Sequence, residues 1–401
     1  MHPHCTCYTL AFPMTPNPLL GVFLHWLGGL SSASFYLGFR PVKGWAWETY
    51  WLAGGIFSWI IAPWLLALTM TSDLAAVLRE APSSSLFWAY TFGVLWGLGG
   101  LTFGLTMRYL GMSLGMAMVL GYTAAFGTLL PPIFRGQFMG QVLGTHSGQV
   151  ILAGVAVCLA GIAFAGSAGV SKEHELSEEQ KRASIQEFSL KRGILVATFS
   201  GVMSACFAYG LAAGDPIKQI TLRHGTPVLW QGLPVLVVVL LGGFTTNFIW
   251  CLILNIRNRT GYQYFTSKLR GPVPKRDAEP ILETAIDAPG EEMAAAVPAR
   301  TAWPARAPML SNYFFCAVAG TTWYMQFFFY TMGETQMGAF KFSSWTLHMA
   351  SIIIFSTLWG IALKEWKGVS TRTRWLVGLS LLVLVSSTVI VGYGNYLGLA
   401  R

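Results

Sequence analysis

Hydrogen-bonding and aromatic side chains recur on one face of an apolar stretch in the C-terminal half of the chain. Trp323, Gln326 and Tyr330 follow one another at intervals of three and four residues, and Glu334 continues the stripe. This spacing places all four on one side of a helix. The rings could equally pack against neighbouring helices, but an amide in apolar surroundings needs a hydrogen-bond partner. Gln326 is therefore the strongest candidate for a ligand-binding residue, with Trp323 and Tyr330 beside it.

A second stripe of the same kind lies near the N-terminus. His25, Ser32 and Tyr36 are seven and four residues apart, which again fits one helix face. Ser32 and Tyr36 are predicted to contact the ligand. His25 falls near one end of its apolar stretch, where an imidazole either meets water or takes part in proton transfer.

His348 is the first choice for a group that binds and releases a proton. It lies about two turns into an apolar stretch, with Ser344, Trp345 and Ser351 nearby. An imidazole has an unperturbed pKa of about 6.5, so its charge changes easily near neutral pH. We predict that His348 carries the proton and that Trp345 joins the ligand site. His25 and Glu334 are the alternatives for the proton.

Two charged residues are candidates for a gate. Glu48 begins an apolar stretch, where a carboxylate also suits the positive end of a helix dipole. Arg108 is the single charge within residues 96–122, a stretch with seven glycines, and it marks the water interface between two apolar segments. Glu48 either caps its helix or pairs with Arg108 or Lys43 to close one side of the molecule.

The composition is that of an integral membrane protein. Of the 401 residues, 54% are hydrophobic and 11% charged, against about 25% charged in soluble domains. The net charge is +9, but the basic residues fall between apolar stretches, so the lipid bilayer is the predicted partner and nucleic acid is not. Ten stretches are long enough to cross about 30 Å of hydrocarbon: 19–39, 47–69, 86–107, 110–130, 150–169, 193–213, 227–256, 310–332, 342–363 and 375–397.

The distribution of positive charge predicts the orientation. Connectors after the first, third, fifth, seventh and ninth stretches hold 20 of the 26 lysines and arginines. The eight within residues 257–308 are discounted because long loops report orientation poorly, which leaves 12 against 6. Since positively charged loops stay in the cytoplasm, both termini are predicted to be periplasmic.

A polar connector at residues 171–192 divides the ten stretches five and five, which suggests a duplication. Shifting the chain by 172 residues superimposes six identical pairs: Gly21 on Gly193, Gly29 on Gly201, Ser32 on Ser204, Ala33 on Ala205, Phe35 on Phe207 and Gly38 on Gly210. Because each half has an odd number of spans, the second half crosses upside down. We predict an all-α membrane protein in which residues 19–170 and 193–401 are inverted five-helix repeats and 171–192 is a cytoplasmic linker. Chance matches among small residues are the alternative.

Two segments are predicted to be peripheral. Residues 1–18 form an N-terminal extension with a small cluster of possible metal ligands: His2, His4, Cys5 and Cys7. We do not interpret this cluster as a metal site, because translation is expected to start at Met14 rather than at Met1. No metal or cofactor is expected elsewhere. Residues 257–308 begin with basic residues and continue with prolines and acids, a composition that cannot bury a core. This segment is predicted to be a disordered cytoplasmic loop.

Seven short sequences carry a resemblance to a known family: HWLGGLSSASFY (25–36), WAWETYW (45–51), GLTMRYLGMSLG (104–115), EFSLKRG (187–193), WYMQFFFYTMG (323–333), SWTLHM (344–349) and LKEW (363–366). In this order and spacing, they resemble the L-rhamnose–proton symporter family of the drug/metabolite transporter superfamily. The resemblance implies ten helices, a bacterial inner membrane and proton-driven uptake of a deoxy sugar. A pyranose offers hydroxyls to polar side chains and C–H faces to aromatic rings. The two stripes supply both kinds of side chain.

The chain departs from the family pattern in four places. The N-terminal extension and the long loop before the eighth stretch are peripheral. Residues 334–342 (ETQMGAFKF) and Ala212, which occupies an asparagine position of the family, lie where they could line a pathway, so they bear on the choice of sugar.

The sequence lacks a recognisable enzyme motif, such as a nucleotide-binding glycine loop or a nucleophile with a base at known spacing. Binding and transport remain. The alternatives to a proton–sugar symporter are an exporter or exchanger of another metabolite or drug and, from a different class, an intramembrane enzyme or sensor.

Overall fold

The computed structural model describes residues 15–110, 112–175, 189–268, 306–364 and 366–399, and the side chains of residues 104, 107, 108, 112 and 113 lie outside this description. Each predicted apolar stretch corresponds to a long helix. These helices are α1 Pro18–Phe39, α2 Trp47–Met70, α3 Ser83–Leu110, α4 Met112–Phe134, α5 His146–His174, α6 Leu190–Ala213, α7 Leu233–Asn258, α8 Met309–Thr335, α9 Ser344–Ala362 and α10 Thr371–Leu399. The β-structure of the described residues is limited to one bridge, between Lys268 and Arg306.

Within the described residues, nine of these helices are long and apolar enough to cross a membrane. The other is α8, whose 27 residues exceed the length that a span needs. Its sequence is less apolar because it contains polar side chains such as Asn312 and Gln326, both buried inside the protein. The prediction of an all-helical protein with membrane-spanning helices is confirmed in this form.

Helix α2 contains a π-helical turn at Ile56–Ile61 that the sequence did not reveal. The turn lies directly before Pro63, near the start of the last section of the helix, Ala62–Met70. Proline has no N–H to donate and its ring crowds the preceding turn, so a local widening of the helix is the expected response. The turn buries Ser58 and Trp59 against the interior.

The helices pack into two groups of four. Helix α1 packs on α8 and α9, and α2 packs on α8; these four are the α1 group. Helix α6 packs on α3 and α4, and α7 packs on α3; these four are the α6 group. Helices α5 and α10 pack against each other and against α4 and α9. Exchanging each helix for the one five positions away, α1 for α6, α2 for α7, α8 for α3 and α9 for α4, converts one set of pairings into the other.

Close helix contacts recur at equivalent glycines in the two groups. At each, a Cβ atom would collide with the neighbouring helix, so the two backbones approach closely. The contacts are Gly29 on Ser351 and Gly201 on Tyr122, and, in the matching pairs of helices, Gly320 on Gly54 and Gly93 on Val239. The first two glycines are one of the pairs that the 172-residue shift superimposes.

The segments predicted to be peripheral are only partly described. Residues 1–14, 176–188 and 269–305 lie outside the description. The prediction of disorder is wrong for the start of the 257–308 loop, where Gly261–Tyr264 forms a helical turn. Gln263 is buried there, and its Oε1 accepts hydrogen bonds from Ala46 N at 2.7 Å and Thr49 Oγ1 at 2.9 Å. The composition of the whole loop could not predict this turn, because the turn depends on a single buried amide.

The C-terminal end of α5 is tied to the start of α10. The Glu175 carboxylate accepts hydrogen bonds from the Ser370 N–H at 2.7 Å and from the Ser370 and Thr373 hydroxyls at 2.6 Å. These bonds lower the pKa of Glu175 below its usual value. They also place a negative charge at the positive end of α10, where it is favoured.

Candidate functional site

A small cavity lies between the two helix groups. On the side of the α6 group, it is lined by Trp96 and Phe103 of α3, Leu120 and Thr123 of α4 and Ser204 of α6. The Ser204 hydroxyl is buried and has no hydrogen-bond partner among the described residues. This wall therefore combines ring faces with hydroxyl groups.

The opposite wall belongs to the α1 group and is richer in nitrogen. It is formed by Gln326 and Phe327 of α8 and by Trp345, His348 and Met349 of α9. The Gln326 and His348 side chains are 1% exposed. Neither the Gln326 amide nitrogen nor either His348 ring nitrogen has a hydrogen-bond partner among the described residues. Since buried polar groups are normally hydrogen-bonded, Gln326 and His348 are the candidates on this wall for contact with a ligand.

Two histidines flank one tyrosine behind this wall. The Tyr330 ring lies 5.2 Å from the His25 ring and 5.3 Å from the His348 ring, edge-on to each. Gly28 of α1 brings its helix against the wall, because a Cβ there would lie 3.0 Å from the Gln326 carbonyl oxygen and 3.4 Å from the His348 ring. Both ring nitrogens of His25 are buried and, like those of His348, unpartnered among the described residues.

Trp345 is held in place by the α6 group. Its Nε1–H donates to the Thr123 carbonyl oxygen at 2.9 Å, and its ring stacks on Phe207 at 5.8 Å between centroids. One residue further along α9, the Thr346 and Thr128 hydroxyls share a 2.7 Å hydrogen bond. The cavity is thus closed by direct contacts between α9 and α4.

The cavity volume is about 20 Å³, and a site of about 10 to 15 Å³ already holds one water. A pyranose is far larger. A sugar would fit only if the two groups separated, which would also change the α4–α9 contacts.

The predicted ligand residues divide into three sets. Gln326 and Trp345 line the cavity. Trp323 and Tyr330 lie in the layer behind it: Trp323 stacks on Trp96 at 5.8 Å, and Tyr330 meets Trp345 edge-on at 5.7 Å.

Ser32 and Tyr36 are not among the lining residues. The Tyr36 ring instead lies 6.5 Å from that of Trp51 in α2. Both stripes form one helix face as predicted, but α1 presents its face mainly to its own group.

The three proton candidates occupy different places. His348 lines the cavity. His25 is fully buried rather than in contact with water, because Gly333 of α8 packs directly over its ring. Glu334 is paired: its Oε2 lies 2.9 Å from Nζ of Lys218.

Glu48, one of the two predicted gate residues, does not line the cavity. Glu48 begins α2 and is 4% exposed. Its Oε1 accepts hydrogen bonds from Asn258 Nδ2 at 3.0 Å and Thr260 Oγ1 at 2.6 Å. Its recorded partners are therefore neutral groups of the segment after α7 rather than Lys43. Arg108 lies in the last turn of α3, and its side chain is outside the description.

Ser204 and Thr123 are cavity residues that sequence reasoning missed. A signal for Ser204 was present, because the 172-residue shift places it on Ser32, which was predicted to bind the ligand. Thr123 carried no such signal. Its backbone carbonyl, rather than its side chain, makes the hydrogen bond to Trp345.

No group of three metal-ligating side chains occurs among the described residues. The His2, His4, Cys5 and Cys7 cluster lies outside them. Neither Ala212 nor any residue of 334–342, the two departures from the family pattern near the pathway, is among the lining residues of the cavity.

Comparison with known proteins identifies the family. The family model described as "L-rhamnose-proton symport protein (RhaT)" matches residues 14–261 and 297–397. This chain belongs to that family. Apart from the last four residues, the unmatched segments are 1–13 and 262–296, within the N-terminal extension and the long loop where the chain was predicted to depart from the family pattern.

Individual relatives support the same assignment. The L-rhamnose-proton symporter of Klebsiella pneumoniae (strain 342) is 34% identical over 379 residues, which cover 94% of this chain and 97% of that protein. Those of Cronobacter sakazakii and Mannheimia succiniciproducens are 33% and 32% identical, again over 94% of this chain and over 97% and 98% of their own. All three are named as transporters rather than enzymes.

Proposed function

We propose that this chain imports L-rhamnose, or a closely related deoxy sugar, across a bacterial inner membrane together with a proton. The observation that carries the proposal is the cavity between the two helix groups. Its walls combine aromatic rings with buried, unpartnered nitrogens of Gln326 and His348. Rings cover the C–H faces of a pyranose, and the polar groups bind its hydroxyls.

Sugar binding is assigned mainly to residues of the α1 group, with Thr123 and Ser204 of the α6 group on the opposite wall. Gln326 and Trp345 contact the sugar from the α1 group, with Trp323 and Tyr330 supporting them from behind. Because the two walls belong to different groups, a sugar held between them links their positions. A bound sugar thereby favours closure of the groups around it.

His348 is assigned the proton. It reaches the cavity, and both of its ring nitrogens are unpartnered among the described residues. A proton on His348 would convert an acceptor nitrogen into a donor and so change which sugar oxygens it can bind. Linkage then requires that bound sugar change the proton affinity by the same factor. His25 and Glu334 are the alternative carriers.

The proposed architecture is ten membrane helices in two inverted repeats, with both termini periplasmic. Three observations support it: the matching helix pairings of the two groups, the close glycine contacts in both groups and the excess of positive charge in alternate connectors. Helix α8 is the span that completes the ten, and polar residues such as Asn312 and Gln326 are buried inside the protein. Glu48 and its neutral partners form part of the closure on the cytoplasmic side.

Uptake of labelled sugar into membrane vesicles tests the proposal. With an acid-outside gradient, L-rhamnose should accumulate, unlabelled deoxy sugars should compete, and a protonophore should abolish accumulation. Labelled sugar that enters only in exchange for internal solute would instead support an exchanger on the same scaffold.

A further inference from the structure

A buried lysine joins the two helix groups at one end of the molecule. Lys218 lies in the short helix Asp215–Arg223 that follows α6, and it is 3% exposed. Its Nζ lies 2.9 Å from Oε2 of Glu334, in the last turn of α8. We infer that the Lys218–Glu334 ion pair is a gate that closes this side of the cavity and breaks whenever sugar enters or leaves there. The inference rests on the proposed transport function.

The ion pair connects the two helix groups. Lys218 belongs to the connector from α6 to α7, and Glu334 belongs to α8. The same connector packs tightly on α8 at Gly232, where a Cβ atom would lie 2.9 Å from the Thr331 side chain. If α8 moves away from the α6 group at this end, the ion pair is one of the contacts that must separate.

A second carboxylate makes the pair able to open. Lys218 Nζ also lies 3.1 Å from Asp215 Oδ1, and the other oxygen of Asp215 lies 2.7 Å from Arg135 Nη2. Breaking a buried ion pair is costly when it leaves a buried charge without a partner. Here Lys218 keeps Asp215 as Glu334 leaves, and Asp215 is 41% exposed at the surface. A contact that breaks in every transport cycle needs such a second partner.

The gate is also connected to the cavity. Glu334 follows Tyr330 by one helical turn, so the two move together as parts of α8. The Tyr330 ring touches both His25 and His348. Opening of the gate therefore displaces the ring that lies between the two buried histidines, which couples access from this side to the environment of the proposed proton site.

Thiol accessibility of the cavity tests the gate without any sugar. Ser204→Cys places a thiol in the cavity wall of a chain in which the six native cysteines are replaced. A charged, membrane-impermeant thiol reagent is then applied to right-side-out vesicles. Lys218→Met and Glu334→Gln should each raise the rate of modification about tenfold, since each removes one charge-assisted contact that holds the closed form. The double variant should match the single variants, because all three break the same contact.

The matched control is His224→Ala. His224 lies in the same short helix, and its ring nitrogen is 3.0 Å from the Glu80 carboxylate, but this pair is at the surface. Its loss should leave the modification rate unchanged. Glu334→Gln leaves Lys218 with Asp215 as a partner, so it remains informative if Lys218→Met does not fold.

An unchanged rate in every well-folded variant would overturn the gate and leave the ion pair as a structural contact. A faster rate seen only in inverted vesicles would support the gate and overturn the proposed orientation of the chain. Because the assay needs neither sugar nor proton, its result is independent of whether L-rhamnose is the substrate.

Discussion

Gln326 and His348 differ from the aromatic residues around them in one respect. The rings of Trp96 and Phe327 pack on each other and that of Trp345 packs on Phe207, whereas the nitrogens of Gln326 and His348 are buried without partners among the described residues. Burial of an unpaired polar group lowers stability, by about 1 to 3 kcal/mol in mutational data. In the proposed function, a bound sugar supplies these hydrogen bonds and offsets the cost of burial.

Gln326→Ala is expected to weaken L-rhamnose binding by about 1 to 3 kcal/mol, because it removes a buried hydrogen-bonding group that faces the sugar. Titration calorimetry on the purified protein measures the change. Tyr324→Phe is the matched control: it removes another buried, unpartnered polar atom of α8, from a residue that does not line the cavity. Equal affinities for Gln326→Ala and Tyr324→Phe would make Gln326 a packing residue.

His348→Gln is expected to separate sugar movement from proton movement. Glutamine keeps a hydrogen-bonding side chain but does not titrate near neutral pH, so the variant should let L-rhamnose equilibrate without accumulating. Accumulation and counterflow of labelled sugar in vesicles distinguish the two processes. If the variant still concentrates sugar against its gradient, His348 is not the proton carrier, and His25 or Glu334 takes that role.

The sequence was informative where a polar residue interrupts an apolar stretch. Gln326 and His348 were found in this way, and both line the cavity. Spacing alone was less reliable, because it fixes the face of a helix but not which neighbour that face meets. Tyr36 therefore lies against Trp51 rather than in the cavity. Ser204 carried only an indirect signal, because the 172-residue shift places it on Ser32.

At the scale of helices, close backbone contacts set how α1 meets α9. A Cβ atom on Gly29 would collide with Ser351, whose hydroxyl donates to the His25 carbonyl oxygen at 2.9 Å. Small residues of this kind allow helices in a membrane to approach without a hydrophobic driving force. The contact therefore holds the α1 group together next to its two histidines.

Gly29→Ala should destabilise the protein by about 1 to 3 kcal/mol through overpacking. Gly378→Ala is its control, since a Cβ on that glycine of α10 meets nothing within 4 Å. In a helix, alanine is favoured over glycine by up to about 1 kcal/mol, so the control should be neutral or stabilising. Thermal unfolding in detergent compares the two, and equal melting temperatures would contradict the packing argument.

The existence of the helices could be predicted because apolar length is a strong signal, and their ends differ from the predictions by only a few residues. The π-turn in α2 and the ordered turn around Gln263 could not. The first is a response of the backbone to Pro63 within a packed helix. The second depends on a tertiary hydrogen bond from Ala46, more than two hundred residues away in the chain.

At the scale of the whole molecule, the polar contacts lie at opposite ends of α8. Asn312, near its start, accepts a hydrogen bond from the Lys43 N–H at 3.0 Å, while Glu334, near its end, holds Lys218. A helix of 27 residues spans about 40 Å, so in the proposed ten-span arrangement these contacts lie at opposite faces of the membrane. Gln326, which lines the cavity, lies between them along α8.

Cysteine labelling tests the orientation. Met139 and Phe265 are exposed, 72% and 90%, in connectors at the two ends. In a chain free of other cysteines, Met139→Cys should react with an impermeant reagent applied to intact cells, and Phe265→Cys should react only in inverted vesicles. The opposite pattern would reverse the sidedness of both closures while leaving the helix packing intact.

The central claim is that one cavity moves sugar and proton together in the same direction. It is tested most directly by recording external pH when L-rhamnose is added to weakly buffered, right-side-out vesicles with no imposed gradient. We expect the medium to become more alkaline as sugar enters, and a protonophore to abolish the change. Entry of sugar with no change in pH, or with acidification of the medium, would contradict the account.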